Sequence, residues 1–417
     1  MSTLYLTRYG SPALGIAALV EQKPKLIIVI PSYNEPDLLS TLKSLAVSNQ
    51  IHRTLVIPVI NYGDNDPDEI KVKSQELLEE VTQWAVDKSH SDLQVTPVLV
   101  EFPARKAGVG HARKTGMDEA VRIYDQFEED GVIVNLDADC LVERNYVSSI
   151  IRHFEHLPDS PAASIYFEHP VDLPALDEAI IHYELHLRYF IAMQRYCMLP
   201  YAYQTVGSAM AVRSSAYQKQ GGMNKRKAGE DFYFLQKMML LGSFSEINDT
   251  AVYPSSRTSD RVPFGTGRAM IEWESGSGKG NQSYHPESFI ILKTFLDMLP
   301  EIFYQDLEVL KGRIPLLVWQ FMESQGLALA LFDIKKKSRD LTTFLRHFYS
   351  WFDGFRLMKY VHFSRDHFYP DEELNYCTSW LFEHVYKQKV PERMVERLIA
   401  LRKEDRKGEF ELGFHSL

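Results

Sequence analysis

The chain has 417 residues, with 46 Lys and Arg against 56 Asp and Glu, a formal net charge of −10. That acidic balance argues against general nucleic-acid binding. Three separated cysteines, Cys140, Cys197 and Cys377, exclude a paired-Cys zinc signature and a disulfide framework.

The length suits two domains of ordinary size. No run of about 18 uninterrupted apolar residues is present, so no spanning helix is expected. The start of the chain is broken by Gly10, Pro12 and Gly15 and lacks the basic opening of a secretory signal. These features predict a cytoplasmic protein, either free or peripheral to a membrane.

In chain order, Lys25–Ile30 is a continuous apolar, β-branched run, the pattern of a strand buried on both faces. It stops at Pro31-Ser32-Tyr33-Asn34-Glu35-Pro36, and a helix to about Ser48 follows. A second strand spans Thr54–Ile60 and ends in the loop Asn61–Pro67. A helix to Lys88 and a third strand over Gln94–Phe102 come next. The Gly-containing basic segment Ala104–Lys114 then opens a helix to about Phe127. Val132–Leu136 is the fourth strand, closing on Asp137-Ala138-Asp139.

Four strand–helix alternations predict an α/β domain with a mostly parallel sheet and flanking helices. Ligands bind such sheets at the carboxyl ends of the strands. The polar clusters at Ser32–Glu35, Asn61–Asp66, Arg105–Arg113 and Asp137–Asp139 all follow strands, so they should gather along one edge.

The second half is less regular. Strands are expected at Ala162–Phe167 and Gln204–Val212. Helices are expected at Asp177–Tyr196, with Ile180, Tyr183, Leu187 and Ile191 on one face, and from Glu230 to about Leu241. Val252–Gln282, rich in Gly, Ser and Arg, reads as a loop or lid. From Pro286 the pattern is helical.

Three clusters carry chemistry. Asp137 and Asp139, two apart on an extended strand end, would point to one side and offer hard oxygens to Mg²⁺ or Mn²⁺. Capping of a turn is the structural alternative. In Gly108–Gly116, Gly108 and Gly110 permit close backbone approach, and Arg113 and Lys106 bring charge suited to phosphate. The alternative is a solvated basic helix start. Glu230-Asp231 opens a helix, where a carboxylate serves either as a general base or as a partner of the helix dipole.

These residues together resemble the GT-A-fold glycosyltransferases, and family 2 within them. Pro31-Ser32-Tyr33-Asn34-Glu35 resembles the family's opening nucleotide loop. Gly108–Gly116, with Ala112-Arg113, resembles its Gly-to-Ala-Arg segment. Leu136-Asp137-Ala138-Asp139 is similar to its metal motif, and Glu230-Asp231 to its catalytic acidic motif. The similarity spans roughly residues 25–241, about half the chain.

The resemblance implies a GT-A (Rossmann-like) domain at 25–285, after an N-terminal segment at 1–24 and before a helical C-terminal region at 286–417. It implies a hexosyltransferase-type enzyme, metal-dependent and inverting. The donor would be a nucleotide-diphosphate sugar, and the acceptor a glycan, a lipid-linked molecule or a small molecule. Pro31, Tyr33 and Glu35 would meet the nucleoside. Lys106, Gly110 and Arg113 would face the diphosphate. Asp137 would lie near the ribose and, with Asp139, hold Mn²⁺ or Mg²⁺. Asp231 would deprotonate the acceptor, with Glu230 beside it.

Arg257 and Arg261, in the Gly-rich loop, would close over the leaving diphosphate. The chain departs from the family at its second strand. Two aspartates are usual there before a Gly, whereas this chain has Asn61-Tyr62-Gly63 and only then Asp64 and Asp66. Asn61 therefore takes the donor-side position. Two other readings remain open: a nucleotidyltransferase, and a noncatalytic nucleotide-sugar or glycan-binding protein on a decayed fold.

Overall fold

The structure is a computed structural model that describes residues 2–48, 52–88, 92–171, 178–225, 229–257 and 281–408. The chain divides into two compact units. The first comprises Met1–Val171 and Thr205–Arg268, and the second Asp172–Gln204 and Ala269–Leu417.

In the first unit, helix α1 (Ser2–Tyr9) precedes strand β1 (Leu26–Ser32), helix α2 (Leu38–Ala46), strand β2 (Thr54–Gly63) and helix α3 (Asp68–Lys88). Strands β3 (Leu93–Val95) and β4 (Val98–Phe102) and helix α4 (Val109–Gln126) follow. Next come β5 (Val132–Asn135), β6 (Leu141–Val142), α5 (Tyr146–His156) and β7 (Ala162–Phe167). Helix α6 (Glu178–Tyr196) lies in the second unit, after which β8 (Met210–Arg213), α7 (Ser214–Lys219), α8 (Glu230–Met239) and β9 (Ser245–Tyr253) complete the first.

The strands form one sheet in the order β3-β2-β1-β5-β8-β7-β9-β6, with β4 also paired to β2. Pairings among β1, β2, β3, β4 and β5 are parallel. β8 runs antiparallel to both its neighbours, β5 and β7. The sheet is thus mostly parallel, as the alternation of strands and helices predicts. From β1 the chain moves to β2 on one side and reaches β5 on the other. The topological switch point therefore lies at the carboxyl ends of β1 and β5, where α/β sheets bind ligands.

All seven residues of β1 are buried, which explains the unbroken apolar run. The expected third strand is two short ones. Pro97 has no N–H to donate, and pairing with β2 resumes at Val98. Gln204–Val212 yields a strand only from Met210. α4 packs on β1 and β2, and Gly116 allows the close approach: a Cβ there would lie 2.4 Å from Val29 Cγ1.

The N-terminal segment is built into this unit. The Tyr5 hydroxyl donates to Asp118 on α4 at 2.7 Å, and the Ser11 amide donates to the same carboxylate at 2.6 Å. The Leu14 and Ile16 amides donate to Glu119. Asp118 and Glu119 are fully buried, so these bonds replace lost hydration.

Among the described residues, the regular structure of the second unit is helical apart from the two-residue pair Gln282–Ser283 and Glu372–Glu373. α6 is buried on more sides than the expected stripe of Ile180, Tyr183, Leu187 and Ile191, because its charged residues are paired. Glu184 receives Arg188 from α6 and Arg402 from helix Met394–Lys407. Asp405 on that helix receives Arg188 and Arg195. Among the described residues, no helix is long and apolar enough to cross a membrane.

Candidate active site

The expected strand-end geometry of Asp137 and Asp139 is not what forms. β5 ends at Asn135, and the backbone then turns. The Cys140 amide donates to the Asp137 carbonyl at 3.2 Å, and the Thr41 hydroxyl to the Ala138 carbonyl at 2.9 Å. The two carboxylates remain close enough to repel each other, and each meets a different arginine.

Asp137 accepts from Arg113 Nη2 at 2.5 Å. The other terminal nitrogen of the same guanidinium donates to Glu230 Oε1. Arg113 and Glu230 are almost completely buried. Burial lowers the pKa of Arg113, but Asp137, Glu230 and Asp231 outweigh it and hold the pKa above its ordinary value. The guanidinium also lies over Gly207, where a Cβ would come within 2.4–2.7 Å of its atoms. Arg113 is therefore a buried tie between α4, the turn after β5 and the first residue of α8.

Gly229, with φ of 69°, turns the chain into α8 in the left-handed conformation that glycine adopts most readily. Asp231 follows Glu230 in the first turn, and its Oδ1 accepts the Phe232 amide at 2.8 Å. Burial raises the pKa of Asp231 above the usual carboxylate value, while Arg113 opposes the shift. Glu230 is raised for the same reason, again against Arg113.

The second arginine is Arg257, four residues beyond the end of β9. Its guanidinium donates to Glu35, to Asp37 at 2.9 Å, and lies 3.5 Å from Asp139. Glu35 is buried and also accepts the Asp37 amide at 3.1 Å. Burial, with Asp137 and Glu35 nearby, pushes the Asp139 carboxyl up to about 6.

Asp137 and Asp139 are hard oxygen donors of the type that bind Mg²⁺ or Mn²⁺. A cation, the Arg257 guanidinium, already lies against Glu35, Asp37 and Asp139. The donors thus fit a divalent ion in type and charge. No group of three or more His, Cys, Asp or Glu among the described residues could hold one by itself. Diphosphate and water would complete the shell, as is usual for these ions.

The remaining expected site residues fall as follows. Pro31 is buried within β1, and Tyr33 is partly exposed just beyond its end. Asn61 lies inside β2, buried, and donates to the Ser32 carbonyl at 2.9 Å, so it braces the end of β1. The carboxylates that follow it shape loops: Asp66 accepts the Gly63 amide at 2.8 Å and Asp64 the Ala104 amide at 2.8 Å. Lys106 is exposed in the loop before α4, and Gly110 is buried in the first turn of that helix. Arg261, with most of the Gly-rich loop at 258–280, lies outside the described residues.

Two residues at the site have no role that the sequence assigns. Asp37, a second carboxylate partner of Arg257, is hinted at only by its spacing from Glu35. Gly207, the floor under Arg113, belongs to the Gly207-Ser208-Ala209 run that precedes the acidic motif in the family resemblance, but the run says nothing about an arginine.

Residues 27–218 match the family model described as Glycosyl transferase family 2. The match takes in Arg113, Asp137 and Asp139; Glu230, Asp231 and Arg257 lie beyond it. Two solved structures are similar. Residues 1–349 of TarS from S. aureus share 14% identity, covering 82% of this chain and 89% of that one, with a TM-score of 0.37. The mannosyltransferase PcManGT from Pyrobaculum calidifontis, in complex with GDP-Man and Mn2+, shares 16% identity, covering 84% and 92%, with a TM-score of 0.35. No curated protein matches the chain.

Proposed function

On the premise that this chain is a glycosyltransferase carrying a Glycosyl transferase family 2 domain at residues 27–218, we propose that it moves a sugar from a nucleotide-diphosphate donor to an acceptor hydroxyl. The observation that carries the reading is the tie of Asp137 and Glu230 through Arg113, beside Asp231, at the switch point of the sheet.

Asp231 is the proposed base. Its Oδ1 is held by the Phe232 amide, which leaves Oδ2 to take the acceptor proton as the acceptor oxygen attacks the anomeric carbon. A single displacement of this kind inverts that carbon. Glu230 balances Arg113 and does not need to exchange a proton. Glu35 and Tyr33, at the end of β1, are the proposed nucleoside contacts. Lys106 and Gly110 approach the diphosphate from the start of α4. A divalent cation bound through Asp137 and Asp139 would neutralise charge developing on the leaving diphosphate. Arg113 orients Asp137 and Glu230 and is a positioning residue, in place of the direct phosphate contact expected from its motif.

A noncatalytic, donor-binding protein is the second reading. It is favoured by Asn61, an amide that braces β1 where a donor-reading carboxylate is usual. One panel separates the two: thermal shifts with UDP, GDP, CDP and dTDP, each with Mn²⁺, Mg²⁺ or EDTA, followed by turnover of the matching nucleotide sugar. A metal-dependent shift with one nucleotide, and nucleotide release, is expected. Binding without transfer or hydrolysis would establish the second reading. No shift with any nucleotide would sink both.

A further inference from the structure

We propose that Arg257 is a resident cation of the donor site: its guanidinium holds Glu35, Asp37 and Asp139 closed against a divalent ion and gives way when metal and diphosphate arrive together. The inference rests on the reading of Asp139 as a metal ligand.

The two arginines of the site differ in how they are held. The Arg113 side chain is 4% exposed and tied on both terminal nitrogens, so its departure would leave buried carboxylates uncompensated. The Arg257 side chain is 29% exposed, and Asp37 and Asp139 are themselves partly open to water, at 49% and 29%. Release from Asp37 and Asp139 exchanges partly solvated pairs for water, which costs little, whereas Glu35 is 4% exposed and gives up Arg257 only where a divalent ion supplies the replacing charge. Arg257 is thus the exchangeable cation and Arg113 the permanent one.

The charge arithmetic favours exchange. Glu35, Asp37 and Asp139 carry three negative charges when ionised, and Arg257 brings one positive charge. A divalent ion alone must displace that guanidinium. A divalent ion carrying a diphosphate offers the guanidinium new anionic oxygens in a fork geometry that suits it. Arg257 remains charged throughout, so it can move from carboxylate to phosphate without proton transfer. Metal binding and diphosphate binding thereby become coupled through one side chain. Arg257 also tethers Glu35, the proposed nucleoside contact, so the apo site binds either partner alone less well than the two together.

The test is Mn²⁺ titration of the full chain without nucleotide, followed by the electron paramagnetic resonance of free Mn²⁺. It is run on the wild type, Arg257→Gln, Arg257→Lys, Asp139→Asn and the Arg257→Gln/Asp139→Asn double variant. Circular dichroism checks folding. Arg257→Gln should bind Mn²⁺ about tenfold more tightly than wild type, with Arg257→Lys between them. The nucleoside diphosphate that shifts the wild type should tighten Mn²⁺ binding less in Arg257→Gln. Asp139→Asn should remove the tight site in both backgrounds. Equal or weaker Mn²⁺ binding by Arg257→Gln, while Asp139→Asn abolishes it, overturns the proposal and leaves the metal reading standing. Mn²⁺ binding indifferent to Asp139→Asn overturns that reading and the proposal with it. An Arg257→Gln variant that binds no Mn²⁺ at millimolar concentration also overturns the proposal.

Discussion

Arg113 and Glu230 are 117 positions apart in sequence and form a buried ion pair, with the second arm of the same guanidinium on Asp137. The pair fixes the first turn of α8 against the turn after β5. It also sets the electrostatics of Asp231, because Arg113 favours the charged form of both neighbouring carboxylates.

The pH dependence of transfer follows from that pair. As the proposed base, Asp231 would act only when deprotonated, and burial raises its pKa. Activity should therefore fall as pH drops through a value above the ordinary carboxylate range. Arg113→Met removes the group that opposes the rise, so the acid limb of kcat/KM should move to higher pH. Arg113→Lys should move it less. Asp231→Asn should cut turnover by about 10²–10⁴-fold and leave donor binding in place. An acid limb unmoved in both Arg113 variants would separate Arg113 from the base.

Gly207 gives a second route to the same contact. In Gly207→Ala the new methyl meets a guanidinium already pinned at both ends. Overpacking of this kind costs about 1–3 kcal/mol. Displacing Asp137 and Glu230 by a fraction of an ångström should lower kcat by up to about 10²-fold. Urea denaturation and steady-state kinetics on one preparation would show whether the two losses occur together.

Asp139 makes stability depend on pH. Its folded-state pKa is raised from 3.8 to about 6, so between those values the folded chain holds a proton that the unfolded chain has lost. The contribution of Asp139 is then most favourable at low pH and is lost as pH rises through about 6. Asp139→Asn should gain stability relative to wild type as pH rises from 5 to 7.5. Urea midpoints for both proteins at the two pH values test this; a constant difference would contradict the shift.

Tyr5 anchors the N-terminal helix to a buried carboxylate. Its hydroxyl donates to Asp118, which also accepts from Tyr217 at 2.8 Å and from the Ser11 amide. Tyr5→Phe removes the bond to Asp118 and the one the hydroxyl accepts from Lys114 at 2.7 Å, and should lower unfolding stability by at least about 1.5–3 kcal/mol. Tyr9→Phe, at an exposed position on the same helix, serves as the control and should be neutral. Chemical denaturation of the two variants provides the comparison.

Much of the first unit is legible from short-range pattern. The β-branched run of β1, the alternation through β5 and the apolar spacing of α4 are local properties of the chain. The N-terminal contribution is not, because Tyr5 and Ser11 look ordinary until Asp118 is buried beneath them. Asp137 and Asp139 are visible as a motif, yet the turn they sit in, where the Ala138 carbonyl accepts the Thr41 hydroxyl of α2, is not. Asn61 is visible as a departure from a family pattern, and only its bond to Ser32 shows that it braces a strand.

The sequence alone determined that the acidic and basic clusters follow strands, and hence that they gather along one edge of a parallel sheet. That conclusion needs only strand direction and the position of each cluster in the chain. Tertiary structure decided which charge meets which. Arg113 is joined to Asp137 across 24 positions and to Glu230 across 117, and Arg257 to Glu35 across 222. Such partners are selected by burial and by the path of the backbone between the strands. Desolvation then makes each pairing matter, since a buried charge without its counterion is strongly unfavourable.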